Sequence, residues 1–518
     1  MAREGESAAR STLFLTGMAA LTQLLSFGYR VILSRMIGAE GMGLYQLVMS
    51  AYAVLLSLST VGLTAGASNL SAQYLALGNG RAMEQTRRMC LGLLAADAAV
   101  LTAVVTGLYD PISVWLLGDA RTQLGLVLMM PCLLLTGVEN IHKHLFYGAG
   151  LVKPPAFVEL AEQFIRACAV LGLLWAFLPQ NGERTVGLIV AGMVVCEVFS
   201  SGALTLLYRR KLSALGERGR GEGRRVLLRR VGSIALPIAL TSLLGNLMGA
   251  ANSALIPRKL VEAGMERGEA VAELGIVCGM TLPMLGLPTV FLGALNLVMI
   301  PRLARSVALK QSARVQHQVQ RALMAVSVLI LPSMALMVVL GPDLAVLMFG
   351  EEEAGRHLLP LAAATLFSCY HGVLNGILSG IERQRQSALV SLLCDGVQLA
   401  FVFTVAWPGV GILGFVAGTL VSEVLAAVLC ALCVGRAVRV KIPVFQCVTA
   451  PGLGALLMGL TANLLFRYLK DSGVAPLAAM VGVTGFALVI YVAALQVQGV
   501  SLTEVFRFQT RSSKKTQG

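Results

Sequence analysis

Charged residues are scarce in this sequence. Only 13% of its 518 residues are Asp, Glu, Lys or Arg, whereas soluble domains carry about 25%. Hydrophobic residues make up 56%, and long apolar runs recur along the whole chain. Each run is long enough to cross about 30 Å of hydrocarbon as a helix, and the runs are continuous rather than alternating. These features exclude a soluble globular protein and a closed β-barrel, and they predict an all-α polytopic membrane protein.

Patterns for nucleotide, metal and redox chemistry are also lacking. No Walker A pattern occurs, so ATP is not expected to be the direct energy source. The glycines that begin at Gly38 in "GAEGMG" have the wrong spacing for a dinucleotide loop and predict a tight turn. His142 and His144 have no third ligand nearby, which favours a polar helix end over a metal site. Cys430 and Cys433 are interpreted as small apolar residues. We expect no cofactor, no metal and no catalytic residue.

The apolar runs divide into about fourteen spans, the first two over 11–34 and 43–74. No small-residue cleavage site follows the first run, which is therefore interpreted as a spanning helix and not as a signal peptide. If both termini lie inside, most of the 41 lysines and arginines fall in inner loops and tails. This bias explains the net charge of +14 without nucleic acid. It predicts a multi-pass protein of the cell membrane with both termini in the cytoplasm.

An internal repeat divides the chain. The pattern V-A-G-x-x-V-x-E-V occurs at Val190 and again at Val416, with Glu197 and Glu423 in matching places. "LFYGAGLVKPP" and "GILSGIERQRQ" form a second pair, in the same order and at a similar offset. Six spans in each copy predict two lobes of equal orientation around a central cavity, related by an axis along the membrane normal. The predicted divisions are an N-lobe over 1–210, a basic cytoplasmic linker over 211–231, a C-lobe over 232–436, and two last helices with a tail over 437–518.

Three segments resemble the stage V sporulation protein B family. They are "RVILSRMIGAEGMGLYQ" from Arg30, "ALIPRKLVEAGMERGEAV" from Ala254 with the following "GMTLPMLGLPTVF", and "VELAEQFIRA" from Val158. This family belongs to the polysaccharide-transporter branch of the multidrug/oligosaccharidyl-lipid/polysaccharide exporter superfamily and is similar to the flippases for lipid-linked peptidoglycan precursor. The resemblance implies a fourteen-helix, two-lobe fold that moves a lipid-linked saccharide between leaflets by alternating access. The implied partners are that lipid-linked oligosaccharide and membrane lipids, with cell-wall synthesis enzymes as further candidates.

Ionisable residues inside the spans need a reason, because each costs about 2.5 to 3.5 kcal/mol on insertion scales. Arg30 either reaches toward lipid head groups or faces the cavity as a cation for a lipid diphosphate, which the planar guanidinium suits. Glu162 and Arg166 are spaced i,i+4 and share a helix face. They form either a permanent ion pair or a pair that releases Arg166 to substrate phosphate. Arg30, Arg166 and Glu162 are the candidate substrate residues.

Four further acids are candidates for ion coupling or for a structural role. Asp97 lies among Ala and Leu in the third span, and Asp395 lies near the repeat position of Glu162. Because Glu197 and Glu423 are repeat mates, a hydrogen-bonded carboxyl that joins helices within each lobe is favoured. Coupling to a proton or another cation is the alternative for both.

Three functions compete. The favoured one is a flippase for a lipid-linked saccharide of the cell wall or spore cortex. The alternative is an ion-coupled multidrug-type antiporter on the same fold, for which Asp97 and Glu197 are suitable acids. A membrane-embedded glycosyltransferase would need a sizeable loop with acids or a nucleotide site, whereas the longest loop here is short and basic. We therefore expect a transporter and not an enzyme.

Overall fold

The computed structural model describes residues 2–177, 181–213, 219–438 and 445–500, which form helices joined by short turns and contain no strand. The described helices of eight or more residues are α1 (Ala2–Leu56), α2 (Gly62–Ala76), α3 (Gly80–Gly107), α4 (Gln123–Gly148), α5 (Lys153–Phe177), α6 (Gly182–Lys211), α7 (Arg224–Glu262), α8 (Arg267–Leu274), α9 (Val290–Ala308), α10 (Ser312–Phe349), α11 (Leu358–Gly380), α12 (Gln384–Val402), α13 (Leu413–Val438), α14 (Ala450–Asp471) and α15 (Pro476–Val497).

Local chemistry sets several helix ends. Asn79 precedes α3, and its side-chain oxygen accepts a hydrogen bond from the backbone N–H of Ala82. Asn181 caps α6 in the same way. These bonds satisfy backbone donors that have no partner within the helix. At the other end of α10, Gly350 takes the left-handed conformation with φ 78°, which a glycine adopts without steric cost.

The first helical run is too long for one crossing of a membrane. A π-helical segment joins α1 to α2, and the apolar part Phe14–Ala76 has 63 residues. At 1.5 Å per residue this run measures about 95 Å, about three times the thickness of the hydrocarbon. It is interrupted at Gly38, whose φ of 70° and ψ of −178° lie outside the helical region. The run therefore contains two membrane crossings. The sequence predicted a tight turn from Gly38 onward, and the structure has a break in the helix at Gly38 alone.

Thirteen helical runs among the described residues are long and apolar enough to cross a membrane. Since the first run contains two crossings, the structure agrees with the expected count of about fourteen. The predicted all-α polytopic class is confirmed.

The helices pack into two compact units. The first unit comprises Met1–Leu287 and Asp395–Gly418, and the second comprises Pro288–Cys394 and Thr419–Gly518. Within the first unit, α7 packs on α1 and α2, and α8 packs on α1. The units divide after residue 287, whereas the internal repeat places the division in the basic linker. The repeat-based boundaries at 210 and 232 stay a prediction.

Each unit has its own apolar core. In the first unit, Tyr74, Leu94, Phe146 and Tyr208 are fully or almost fully buried where α2, α3, α4 and α6 meet. In the second unit, the last two helices pack on α10 through a cluster that includes Met458, Phe466 and Tyr491. Tyr491 also donates a hydrogen bond of 3.0 Å to the carbonyl oxygen of Val328.

Two glycines allow α1 to lie close against the segment that begins with α8. A Cβ atom on Gly43 would lie 1.9 Å from the carbonyl oxygen of Val271, and one on Gly275 would lie 2.0 Å from that of Ala39. Both distances are far below van der Waals contact. Neither helix can therefore accept a side chain at these positions without moving.

Gly43→Ala should destabilise the protein, because the added methyl group must push two backbones apart. Overpacking of this kind costs about 1–3 kcal/mol. Thermal unfolding of the purified protein in detergent measures the loss as a lower Tm. Gly28→Ala is the matched control on the same helix, since a Cβ there meets open space. Equal Tm values for the two variants would contradict the close approach.

Polar bonds also tie the connection between α3 and α4 to the helices that follow the basic linker. Arg258 of α7 donates to the carbonyl oxygen of Trp115, and Arg267 of α8 donates to that of Gly118. Arg267 also lies 3.9 Å from a carboxylate oxygen of Asp119. This part of the first unit is therefore joined through backbone acceptors as well as through charge.

Asp119 is the acid of that connection. Burial raises its pKa, but hydrogen bonds and charge from Arg121 outweigh burial and hold the pKa below its usual range. Arg121 bonds Asp119 at 2.9 Å and Glu40 of α1 at 2.6 Å. Asp119 is therefore ionised at neutral pH. Because its pKa is lower in the folded than in the unfolded protein, it adds stability above the unfolded pKa of about 3.9, and this stability is lost as the pH falls below that value.

Asp119→Asn should lower the Tm at pH 7, because Arg121 and Arg267 then lose the carboxylate that both of them contact. The difference between this variant and the parent should shrink as the pH falls below about 4, where the parent carboxylate also becomes protonated. Thermal unfolding at a series of pH values measures both effects. A difference that stays constant down to pH 3 would contradict the assignment.

Candidate functional site

A hydrogen bond sets the register between α1 and α5. Ser26 of α1 donates to the side-chain oxygen of Gln163 on α5 at 3.0 Å. Arg30 follows Ser26 by one turn, and Arg166 follows Gln163 by about one turn. In the predicted topology the first and fifth spans run in the same direction, so the two arginines lie at a similar level. The buried Tyr29 interacts electrostatically with both of them.

Arg166 is enclosed by two carboxylates and a thiol. Its Nη2 donates to Glu162 on the same helix and, at 3.2 Å, to Glu197 on α6. Its Nε donates to the sulfur of Cys196 at 3.4 Å. Glu162 and Glu197 are 4% and 3% exposed. The i,i+4 pair expected from the sequence is therefore present, and the repeat acid Glu197 belongs to the same ion-pair group.

A second ion pair lies beside this group. Lys143 of α4 pairs with Glu159 of α5 at 2.8 Å. Glu139, one turn before Lys143, is buried, accepts a hydrogen bond from Ser200 at 3.1 Å and interacts with Glu197. Helical spacing could not predict these contacts, because each of them joins residues of two different helices.

We call these residues the charged layer: Glu139, Lys143, Glu159, Glu162, Arg166 and Glu197. It contains four carboxyl groups and two cations, so full ionisation would leave two negative charges in excess. Uncompensated charge is costly to bury. The layer therefore has the composition to hold protons as well as ion pairs.

The charged layer also contains three groups of the kind that ligate metals. The ligand atoms of Glu162, Cys196 and Glu197 lie within 4.8 Å of one another. The Arg166 guanidinium donates to all three and so takes the place in which a cation would be bound. The geometry therefore favours a closed ion-pair group over a metal site.

Arg30 differs from the other intramembrane cations. Its side chain is half-buried, and it forms no hydrogen bond or ion pair with any residue that the structure describes. Lys143 and Arg166, in contrast, each have a carboxylate partner. Arg30 is therefore a cation within a spanning helix that is available to an anion from outside the chain.

The three remaining candidate acids lie elsewhere. Asp97 on α3 is half-buried, and its buried Oδ2 has no hydrogen-bond partner among the described residues. Asp395 on α12 is half-buried and has an interaction within the chain. Glu423 on α13 belongs to the second unit, where its Oε2 lies 3.2 Å from Nδ1 of His371. The sequence analysis missed His371, although it is one of only five histidines.

Arg166→Gln should strongly destabilise the protein, because it leaves two buried carboxylates without their cation. Breaking a buried pair costs about 3–5 kcal/mol. Adding Glu162→Gln and Glu197→Gln should restore much of the Tm, since the group is then neutral. Arg88→Gln is the control, because that side chain is 75% exposed although it also pairs with a glutamate. An unchanged Tm in Arg166→Gln would show that the ion-pair group does not hold the helices.

Two known protein families match parts of this chain. The family described as polysaccharide biosynthesis protein matches residues 8–307, and the MatE family matches residues 270–404. The first match covers more than half of the chain. It contains the whole charged layer and Arg30.

Two curated relatives come from Bacillus subtilis (strain 168). Stage V sporulation protein B is 22% identical over 440 residues, which cover 84% of this chain and 85% of the relative. Lipid II flippase MurJ is 24% identical over 432 residues, which cover 76% of each chain.

Solved structures share the fold. The inward closed conformation of lipid II flippase MurJ superimposes with a TM-score of 0.70 at 10% identity, covering 94% of this chain and 98% of that one. An inward-facing multidrug resistance MATE family transporter superimposes with a TM-score of 0.65 at 14% identity, covering 80% and 94%. MurJ and the MATE protein are named as a flippase and a transporter. The chain therefore belongs to the polysaccharide biosynthesis protein family, and it is a multi-pass membrane transporter of the multidrug/oligosaccharidyl-lipid/polysaccharide exporter superfamily.

Proposed function

We propose that this transporter moves a lipid-linked saccharide, with peptidoglycan precursor as the favoured cargo, from the inner to the outer leaflet of the cell membrane by alternating access. The observation that carries the proposal is Arg30, which lies beside the charged layer and has no ion-pair partner among the described residues. A diphosphate is the anion that this cation suits, because the planar guanidinium binds phosphate oxygens in pairs and keeps its charge.

Arg166 has a conditional part in this proposal. With Glu162 and Glu197 both ionised, its guanidinium is engaged and has little to offer a phosphate. If one of these carboxyls takes up a proton, its attraction for Arg166 falls and part of the guanidinium becomes available. Arg30 would then make the first contact with the diphosphate and Arg166 the second. The protonation state of Glu162 would then determine whether Arg166 binds the diphosphate.

The relatives support this cargo in general terms. The curated flippase is named for lipid II, and the matched family is described by polysaccharide biosynthesis. We infer that the chain performs transport without covalent chemistry and that both termini lie in the cytoplasm. A role in the cell wall or the spore cortex, with wall-synthesis enzymes nearby, follows from the same proposal.

Arg30→Ala should lower transport at least tenfold without lowering the Tm, because Arg30 forms no ion pair with a described residue. The assay uses vesicles that contain the purified protein and a fluorescent polyprenyl-diphosphate saccharide, and it measures transfer between leaflets. Arg30→Lys should keep an intermediate rate, since lysine retains the charge but loses the bidentate geometry.

Arg88→Gln is the control for a lost arginine outside the site. Full transport in Arg30→Ala would remove Arg30 from substrate binding. Failure of the parent protein to move the lipid, combined with ion-dependent export of cationic drugs from the same vesicles, would replace the proposal with the multidrug-type alternative.

A further inference from the structure

His371 and Glu423 form a half-buried pair in the second unit. Nδ1 of His371 on α11 lies 3.2 Å from Glu423 on α13, and Ser391 on α12 lies 3.4 Å from the other ring nitrogen. The His371 side chain is 17% exposed and that of Glu423 is 26% exposed. The pair therefore lies between three helices and keeps a narrow access to the surroundings.

The internal repeat matches this pair to two positions of the charged layer. Gly148 and Gly380 are matched in the repeated segments "LFYG" and "GILSG", and Glu139 and His371 each precede their glycine by nine residues. Glu423 is the mate of Glu197. The same two repeat positions therefore hold two carboxyls in the first half and an imidazole with a carboxyl in the second.

The repeat-matched carboxyls Glu197 and Glu423 have different cationic partners. Glu197 is paired with Arg166, whose charge is permanent. Glu423 is paired with a histidine, the one side chain that ordinarily changes its charge between about pH 5 and pH 8. The second half thus has a counter-ion that can be switched off.

Other groups around His371 do not replace this partner. From α13, the Cys430 thiol also interacts with the ring. From α12, Ser391 is uncharged, and Asp395 follows it by one turn. On the helix of His371 itself, Tyr370 is bonded to Ser327 of α10 at 2.7 Å, and Cys369 is buried. From α9, Asn296 donates to the carbonyl oxygen of Gly372. Glu423 is the group with which the ring forms its ion pair.

We propose that His371 and Glu423 bind one proton during the transport cycle and that this proton permits the second half to close. The inference rests on the proposed transport function. With the proton bound, imidazolium and carboxylate together are neutral. Without it, the neutral ring leaves one negative charge on Glu423. Only the neutral pair can be sealed from water at low cost. The proton enters or leaves when the pair is open to water.

Transport rates across a pH series test this proposal in the vesicles described above. The parent rate should change at least tenfold between about pH 6 and pH 10, a range that covers loss of the imidazolium proton beside a carboxylate. The double variant His371→Gln/Glu423→Gln, in which no charge is buried, should transport with less than a twofold change over the same range. His317→Gln is the matched control, because its histidine is exposed, and it should keep the parent profile.

A second measurement needs no substrate. In protein labelled with 15N-histidine and placed in nanodiscs, the His371 ring signal is assigned by its loss in His371→Gln. Its response to pH should change in Glu423→Gln and should not change in His317→Gln.

Two results would overturn the inference: a double variant with the parent pH profile, or a His371 signal that ignores Glu423→Gln. If the parent moves no lipid but the His371 signal responds as expected, the cargo is wrong and the proton site stands. If lipid moves but the signal does not respond, the function stands and the proton site falls.

Discussion

The Arg166 guanidinium joins two helices by holding a carboxylate from each. Charge is expensive to bury in hydrocarbon, so α5 and α6 can keep Glu162 and Glu197 ionised inside the first unit only with this cation between them. The same constraint explains why Lys143 and Glu159 occur together. It also makes Arg30 stand out, because it is the intramembrane cation next to this group for which no described residue supplies a counter-ion.

Much of the fold could be predicted from the sequence, because a membrane imposes a simple requirement on it. Continuous apolar runs of sufficient length must be helices that satisfy their own backbone bonds, and the count of about fourteen follows. The position of α7 against α1 and α2 could not be predicted in this way. Runs and repeats describe single helices and their order, whereas close approaches such as that of Gly43 and Val271 depend on tertiary packing.

The charged groups divide along the same line. Helical spacing was enough to pair Glu162 with Arg166, because both lie on one helix. The repeat was enough to match Glu197 with Glu423 but not to find their partners, which come from other helices. His371 illustrates the limit: it lies within the apolar span Leu358–Gly380, where an ionisable side chain needs a reason, but only the structure shows that its partner is Glu423 on another helix.

Two arginines bind the connection between α3 and α4 through backbone acceptors. Arg258 and Arg267 bond the carbonyl oxygens of Trp115 and Gly118, which every amino acid possesses. A substitution of Trp115 can therefore change the side chain without removing the acceptor. Gly118 is more restricted, because its φ is 82° and a Cβ there would lie 2.7 Å from Nε of Arg258. Among related chains, this contact should therefore tolerate change at Trp115 and constrain Gly118, Asp119 and the two arginines.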